Sequence, residues 1–307
     1  MSESAALPTQ LRVFERGWLS SNNILFVGRE ETALVDSGYV THSGQTMALV
    51  EAALGDRPLD LLLNTHLHSD HCGGNSALQQ RYPDLHTRIP PGEAASVQNW
   101  EEEALSFGAT GQQCPRFRFQ GLLEPGRDVT LGDLAWQVHG APGHDPHSIV
   151  LFEPRSRTLI SADALWENGF GIVFPELTGE PSFDEVAATL DLIETLSPRW
   201  VIPGHGSVFS ELAKALSSAR RRLESFANDP VRHARHALKV LLKFKLLELQ
   251  VVSVGEWRAW IQSTPYLNAV RARFFASFSL EELSDEILME LIKVGAAFAD
   301  STHIRNS

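Results

Sequence analysis

The segment Asn64-Thr-His-Leu-His-Ser-Asp-His-Cys-Gly-Gly-Asn75 limits what this chain can be more than any other stretch. The apolar run Leu59–Asn64 leads into it, long enough for a buried strand and too short for a helix. Four side chains able to hold a metal then fall within six positions: His66, His68, Asp70 and His71. Imidazole and carboxylate are the groups that zinc and other first-row divalent ions take. On extended or turning backbone His66 and His68 project to one side, leaving Asp70 and His71 to turn toward a second centre. Gly73 and Gly74 let the chain bend away, and Asn75 is placed to cap the next helix. For a single histidine, a packed or solvent-facing ring is the simpler reading. Four such residues at one strand exit call for a metal site.

Three more ligand-type residues follow apolar runs downstream. His144 lies in Ala-Pro-Gly-His-Asp-Pro-His after the run Trp136–His139, Asp163 follows Thr158–Ser161, and His205 follows Trp200–Ile202 in Val-Ile-Pro-Gly-His-Gly. Each alone reads as a loop residue; as a series along one sheet edge they can complete a site built from loops. Asn23–Gly28, Thr32–Gly38 and Ser148–Phe152 supply further strand-like runs. Residues 184–196 carry Val186, Leu190 and Ile193 on one helical face, with Ser182 and Glu185 spaced as a capping box.

From about Glu211 the texture turns helical. Leu212, Leu216, Ala219, Leu223 and Phe226 form a stripe, Asp229-Pro230 starts a helix running to about Leu249, and Leu280–Phe298 reads as another with Ser279 as cap. Val251–Val254 reads as the one short strand of this tail. The expected organisation is therefore a first unit at 1–210 and a mostly helical extension at 211–307. Charge divides at the same place. Residues 211–307 hold 14 lysines and arginines against 11 acids, whereas residues 1–210 hold 12 against 27. A length of 307 residues with 43% hydrophobic and 21% charged side chains excludes wholesale disorder. Two cysteines, Cys72 and Cys114, cannot build a disulfide framework. With no uninterrupted apolar stretch of about 18 residues and no secretory pattern in MSESAALPTQ, the expectation is a cytoplasmic protein without membrane association. A homodimer stays open.

The order His-x-His-x-Asp-His, then His, Asp and His, resembles the metallo-β-lactamase superfamily, in particular its glyoxalase II-like dinuclear hydrolases. The resemblance covers about residues 12–210 and includes Ser21-Asn-Asn23 and Leu34-Val-Asp-Ser-Gly38. It implies an α/β fold, an αββα sandwich with two metals at one edge of the packed sheets. It also implies that His66, His68 and His144 hold one divalent ion and Asp70, His71 and His205 the other, with Asp163 between. Zinc is the first choice of metal, with iron or manganese as alternatives. Where this chain has Asp163 the β-lactam-hydrolysing enzymes typically carry Cys, and the flavo-di-iron relatives put Glu at the position of His68. Antibiotic hydrolysis and oxygen reduction are both disfavoured on those grounds. Thioester hydrolases commonly read Gly-His-Thr-Pro-Gly where this chain has Gly143-His-Asp-Pro-His147, so the substrate is expected to differ.

Two divalent ions about 3.5–4 Å apart acidify a shared water and give a hydroxide nucleophile near neutral pH. Asp70 is the residue expected to take up the proton during attack, and Asp36 is a candidate to orient an imidazole, the alternative being a simple turn residue. Cys72 reads as packed rather than catalytic. Trp166, Phe170 and Phe174, in a loop loosened by Gly169 and Gly171, are expected to line an acyl pocket, and the Trp100–Phe119 region is a candidate flap. The first expectation is an ester or thioester hydrolase acting on a small acyl compound. A lactonase or a ribonuclease-like phosphodiesterase is the alternative, since residues 220–245 carry eight lysines and arginines against Glu224 and Asp229. That basic stretch also reads as a solvated face balancing the acidic first unit, or as a site for the phosphates of a coenzyme A thioester.

Overall fold

Short apolar runs become the strands of two packed sheets. A computed structural model of the chain describes residues 7–307. The first sheet has six strands in chain order: β1 (Leu11–Phe14), β2 (Asn23–Val27), β3 (Thr32–Val35), β4 (Leu61–Leu63), β5 (His86–Ile89) and β6 (Gly121–Leu122). β1 to β3 pair antiparallel, and β3 to β6 pair parallel. The second sheet runs β11 (Trp200–Pro203), β10 (Thr158–Ala162), β9 (Ile149–Glu153), β8 (Leu134–Gly140) and β7 (Asp128–Leu131). In it β10 and β11 are parallel and the other pairs antiparallel.

β4 shows why the layers form. Leu61 and Leu63 face the second sheet and share a core with Trp136, Val138, Leu151, Ile160 and Ile202. Leu62 points the other way, joining Leu25, Leu34 and Leu78 beneath α1 (Ser43–Leu54) and α3 (Asn75–Arg81). A parallel strand buried on both faces has no polar alternate, which is what Leu-Leu-Leu supplies. Val150, Phe152, Leu159 and Val201 on the outer face of the second sheet are covered by α7 (Phe183–Leu196) and α8 (Leu212–Asn228). Helix, sheet, sheet and helix are thus stacked as the expected αββα sandwich. Shorter helices lie between: α2 (Ser69–Cys72), α4 (Ala94–Asn99), α5 (Phe107–Thr110) and α6 (Phe174–Thr178).

The tail contains α9 (Pro230–Leu249), α10 (Val254–Ser263), α11 (Pro265–Phe274) and α12 (Leu280–Lys293). Asp229 caps α9 by accepting from the Arg232 N–H at 3.0 Å, and Ser279 with Glu282 forms a capping box on α12. The tail core gathers Leu238, Leu242, Trp257 and Leu291 around Ile172 and Leu177, so it grows onto the first unit rather than standing apart.

Four local expectations are corrected. The helix expected over Leu280–Phe298 ends at Lys293, because Gly295 at φ 74 turns the chain back. Val251–Ser253 is not a lone strand; as β12 it pairs with β14 (His303–Asn306), which pairs with β13 (Ala297–Ala299). Ser182 makes no side-chain cap on α7, and the Glu176 carboxylate takes the place expected of Glu185, accepting from the Ser182 and Phe183 N–H groups at 2.6 and 2.8 Å. Asn75 does not cap α3; its side chain bonds Ser37 and Asn64 instead.

α9 also carries a pH-sensitive element. His233 is buried against Phe183 and Phe226, and its Nε2 finds no hydrogen-bond partner among the described residues. Burial, and then His236, push its pKa down to about 4. The native ring stays neutral between pH 6.5 and about 4 while the unfolded chain takes up the proton, so stability is lost as pH falls through that window. The slope approaches about 1.4 kcal/mol per pH unit for this group. His233→Phe is expected to flatten the loss in urea unfolding between about pH 7 and 4.5; an unchanged slope would contradict it.

Candidate metal centre

Every ligand-type residue singled out in the sequence sits just beyond a strand, at one edge of the two sheets. Asp36 follows β3 and His66 to His71 follow β4 on the first sheet; His144, Asp163 and His205 follow β8, β10 and β11 on the second. Close backbone approach is built in. A Cβ on Gly204 would collide with the Asp163 carboxylate, and one on Gly171 with the His144 ring. Asn22 braces the last of these loops, donating to the carbonyls of Pro203 at 3.0 Å and Gly206 at 2.7 Å.

The side chains converge as two groups. Ring nitrogens of His66, His68 and His144 lie within 4.8 Å of one another, and ligand atoms of Asp70, His71, Asp163 and His205 do the same. Asp163 reaches both: Oδ1 is 3.5 Å from His71 Nε2, and Oδ2 is 3.4 Å from His144 Nε2 and 3.9 Å from His205 Nε2. Asp70 Oδ2 is 3.1 Å from His205 Nε2, and His66 Nε2 is 3.1 Å from His68 Nδ1.

A layer of partners fixes the rings. Asp36 accepts from His71 Nδ1 at 2.8 Å and is itself held by the N–H and hydroxyl of Thr65 at 2.9 and 2.8 Å. Asp36 is therefore both the turn residue, at φ 59, and an imidazole partner. The Ile172 carbonyl accepts from His144 Nδ1. With those protons placed, the Nε2 lone pairs of His71 and His144 face inward, buried and without a hydrogen bond among the described residues. Two features had no sequence signal: Trp166 Nε1 donates to Asp163 Oδ1 at 3.1 Å, and Asp145 Oδ2 lies 3.7 Å from His68 Nε2.

The electrostatics suit a cation. Burial pushes His66 well below its ordinary range, helped by the neighbouring His71, His68 and His144. It brings His68 and His144 down to about 4. Burial opposes charge on Asp163 as well, yet His71 and His205 outweigh it and hold the carboxyl well below the usual range. Burial also opposes protonation of His71, but Asp163 and Asp36 raise it well above the imidazole range. The two carboxylates thus favour positive charge at His71, a fully buried group. Neutral imidazoles, carboxylates and inward lone pairs are a donor set that divalent metals fit.

These side chains open onto a cavity of about 140 Å³. Trp166 and Phe174 line it as expected, but Phe170 does not: it is buried beneath the loop with Leu165 and Val173 and reaches only a neighbouring cavity. Ser106, Thr110 and Gln112 of the Trp100–Phe119 region line one side. The wall the sequence did not reveal comes from the tail, with Val240, Leu241 and Phe244 of α9 and Tyr266 of α11. Trp18, 58% exposed, stacks on His205 at 5.3 Å and also lines the cavity. Cys72 is packed, its Sγ 3.4 Å from the Leu67 carbonyl and 3.7 Å from Cys114 Sγ; burial, then Cys114, holds its thiol well above the usual range. No helix among the described residues is long and apolar enough to cross a membrane.

Comparison with known proteins bears on the family and the fold. The chain is 30% identical over 215 residues to a hydroxyacylglutathione hydrolase of Xanthomonas euvesicatoria, covering 67% of this chain and 73% of that one. A type A flavoprotein of Rhodobacter capsulatus is 26% identical over 214 residues, 64% of this chain but 47% of the flavoprotein, so the likeness spans about half its length. Among solved structures, a beta-lactamase domain protein from Burkholderia ambifaria superposes with a TM-score of 0.59 at 19% identity, covering 87% of this chain and 88% of that one. A metallo-beta-lactamase family protein from Thermus thermophilus gives 0.55 at 19% identity, covering 98% of this chain and 100% of that one. A structure in a di-iron-bound form gives 0.54 at 25% identity, covering 68% of this chain and 98% of that one. Residues 16–205 match the metallo-beta-lactamase superfamily as a whole, and the chain belongs to that superfamily as a metal-dependent hydrolase.

Proposed function

We propose that the protein hydrolyses a thioester or ester with an apolar acyl group, using two divalent metal ions. In this reading His66, His68 and His144 would hold one ion and Asp70, His71 and His205 the other, with Asp163 placed within reach of both groups. Residues 1–210 form the catalytic unit and 211–307 the extension that closes its cavity. The observation that carries the reading is the Asp163 carboxylate, whose oxygens lie near His71 and His205 of one group and His144 of the other, beside an apolar cavity. The hydroxyacylglutathione hydrolase relative supports the thioester, and zinc remains the first choice of metal, with iron supported by the di-iron-bound relative.

Such ions supply a field that acidifies a water and polarises the scissile carbonyl. The chain's own residues do the rest. Asp70 accepts the water's proton as its oxygen attacks the carbonyl carbon; the carbon–sulfur bond breaks, and the proton passes to the departing thiolate. Ile172, Phe174, Leu241 and Phe244 hold the acyl chain and exclude bulk water. Asp36 keeps the His71 lone pair aimed inward. Asp36→Asn is expected to lower metal affinity by about 10–100-fold with the fold retained, read by competition with a chromophoric chelator. Metal analysis of the purified protein, joined to turnover assays on thioesters, lactones and phosphodiesters, tests the whole reading. One metal or none after loading, or turnover confined to phosphodiesters, would overturn it.

A further inference from the structure

The basic stretch over 220–245 is not uniform once its partners are traced. Arg220 pairs with Asp191 and Glu194, Arg235 with Glu286 and Glu290, Lys239 with Glu290, and Lys245 with Glu248. Lys243 donates to the Ala296 carbonyl and the Asn306 side chain. These cations fasten the tail. Arg221, Arg222 and Arg232 have no carboxylate partner among the described residues: Arg221 donates to the Ser217 and Ser218 hydroxyls, and Arg222 makes one long contact, 3.5 Å, to the Phe170 carbonyl.

These three guanidinium groups border one cleft between α8 and α9, together with Arg235, His236 and Lys239, and no acidic side chain among the described residues lines it. Arg222 and His236 also line the next cavity inward. That cavity shares Trp18, Trp166, Ile172, His205 and Val240 with the metal-side cavity. The three cavities therefore lie side by side, from the histidine groups past the two tryptophans and Glu167 to the cleft. The positive field there is felt by His236, whose ring is pushed down to about 4 by burial and then by Arg222, Lys239 and Arg232.

We propose that this cleft binds the phosphate end of the substrate's leaving group, so that the substrate is a thioester or ester whose departing arm reaches from the metal centre to Arg221, Arg222 and Arg232. The inference rests on the hydrolase reading above and adds the substrate class to it. Guanidinium forks match phosphate oxygens in paired hydrogen bonds, and a cleft with uncompensated cations suits a group of more than one negative charge. A small molecule fits better than a nucleic acid strand, since residues 1–210 carry 27 acids against 12 basic residues and would repel a long polyanion.

The test uses the metal-loaded 307-residue chain, R221Q/R222Q/R232Q, and R221Q/R232Q, whose two changes lie at exposed positions. One acyl group is presented on coenzyme A and on pantetheine, which lacks the distal phosphates. Binding of adenosine 3′,5′-bisphosphate is measured by calorimetry, which needs no turnover. The parent is expected to prefer the coenzyme A thioester in kcat/KM by at least about tenfold, through KM, with the preference falling below about threefold in the triple variant. Bisphosphate binding is expected to weaken in the double variant and vanish in the triple one. Equal kcat/KM for the two thioesters with no bisphosphate binding overturns the cleft assignment and leaves hydrolysis standing. Bisphosphate binding lost in the variants, with no thioester or ester turned over, supports the phosphate site and overturns the hydrolase reading. RNA cleavage abolished by the same changes, without thioester turnover, overturns the small-molecule assignment.

Discussion

Asp163→Ala is expected to give a folded protein that retains at most one metal ion per chain and loses at least about 10²–10³-fold in hydrolysis. The carboxylate is the group whose oxygens reach both histidine sets, 3.5 Å from His71 Nε2 on one side and 3.4 Å from His144 Nε2 on the other. Alanine removes that link and strands the Trp166 N–H, which now donates to it at 3.1 Å. An unpaired buried donor costs about 1–3 kcal/mol, which a protein of this size registers as a shift of several degrees rather than unfolding. Metal content by elemental analysis, circular dichroism and initial rates should therefore separate cleanly. Two ions per chain with normal turnover would remove Asp163 from the role given to it.

Asp70→Asn is expected to cut kcat by about 10²–10⁴-fold while KM moves far less. Burial disfavours charge on this carboxylate, but the hydrogen bond to His205 and the fields of His71 and His205 hold it below the usual range, ionised at neutral pH. An amide keeps the shape and cannot accept a proton, so the loss falls on the transition state. Assays at saturating metal separate this from weaker ion binding. A raised KM at unchanged kcat would contradict the assignment.

The metal-side geometry was legible because its signals are local. His66, His68, Asp70 and His71 share one strand exit, and the other three ligand-type residues each follow an apolar run ended by Gly, Pro or Ala. What failed was non-local. β1 and β5 went unread because Leu-Arg-Val-Phe and His-Thr-Arg-Ile are short and mixed, becoming strands only by pairing with β2 and β4. β14, His-Ile-Arg-Asn, has one apolar residue and is held by partners on both sides. Ser182 satisfied every local rule for a cap, yet Glu176 reaches its N–H first. Phe170, Val240 and Phe244 show a further limit. Apolar residues on a helix or loop announce burial, but periodicity does not say whether the buried side meets a core or a cavity.

The proposed ligands come from both sheets: His66, His68, Asp70 and His71 ride on the first, His144, Asp163 and His205 on the second. Neither half of the chain holds either complete set, since His144 completes the first and His205 the second. Metal binding then does more than prepare a reaction. With the proposed ligands it would act as a clasp across the seam between the sheets, and each ion bound would add to the resistance against their separation. Loading state would set how long the folded protein survives as well as how fast it works, and a depleted chain would open along that seam before its strands came apart.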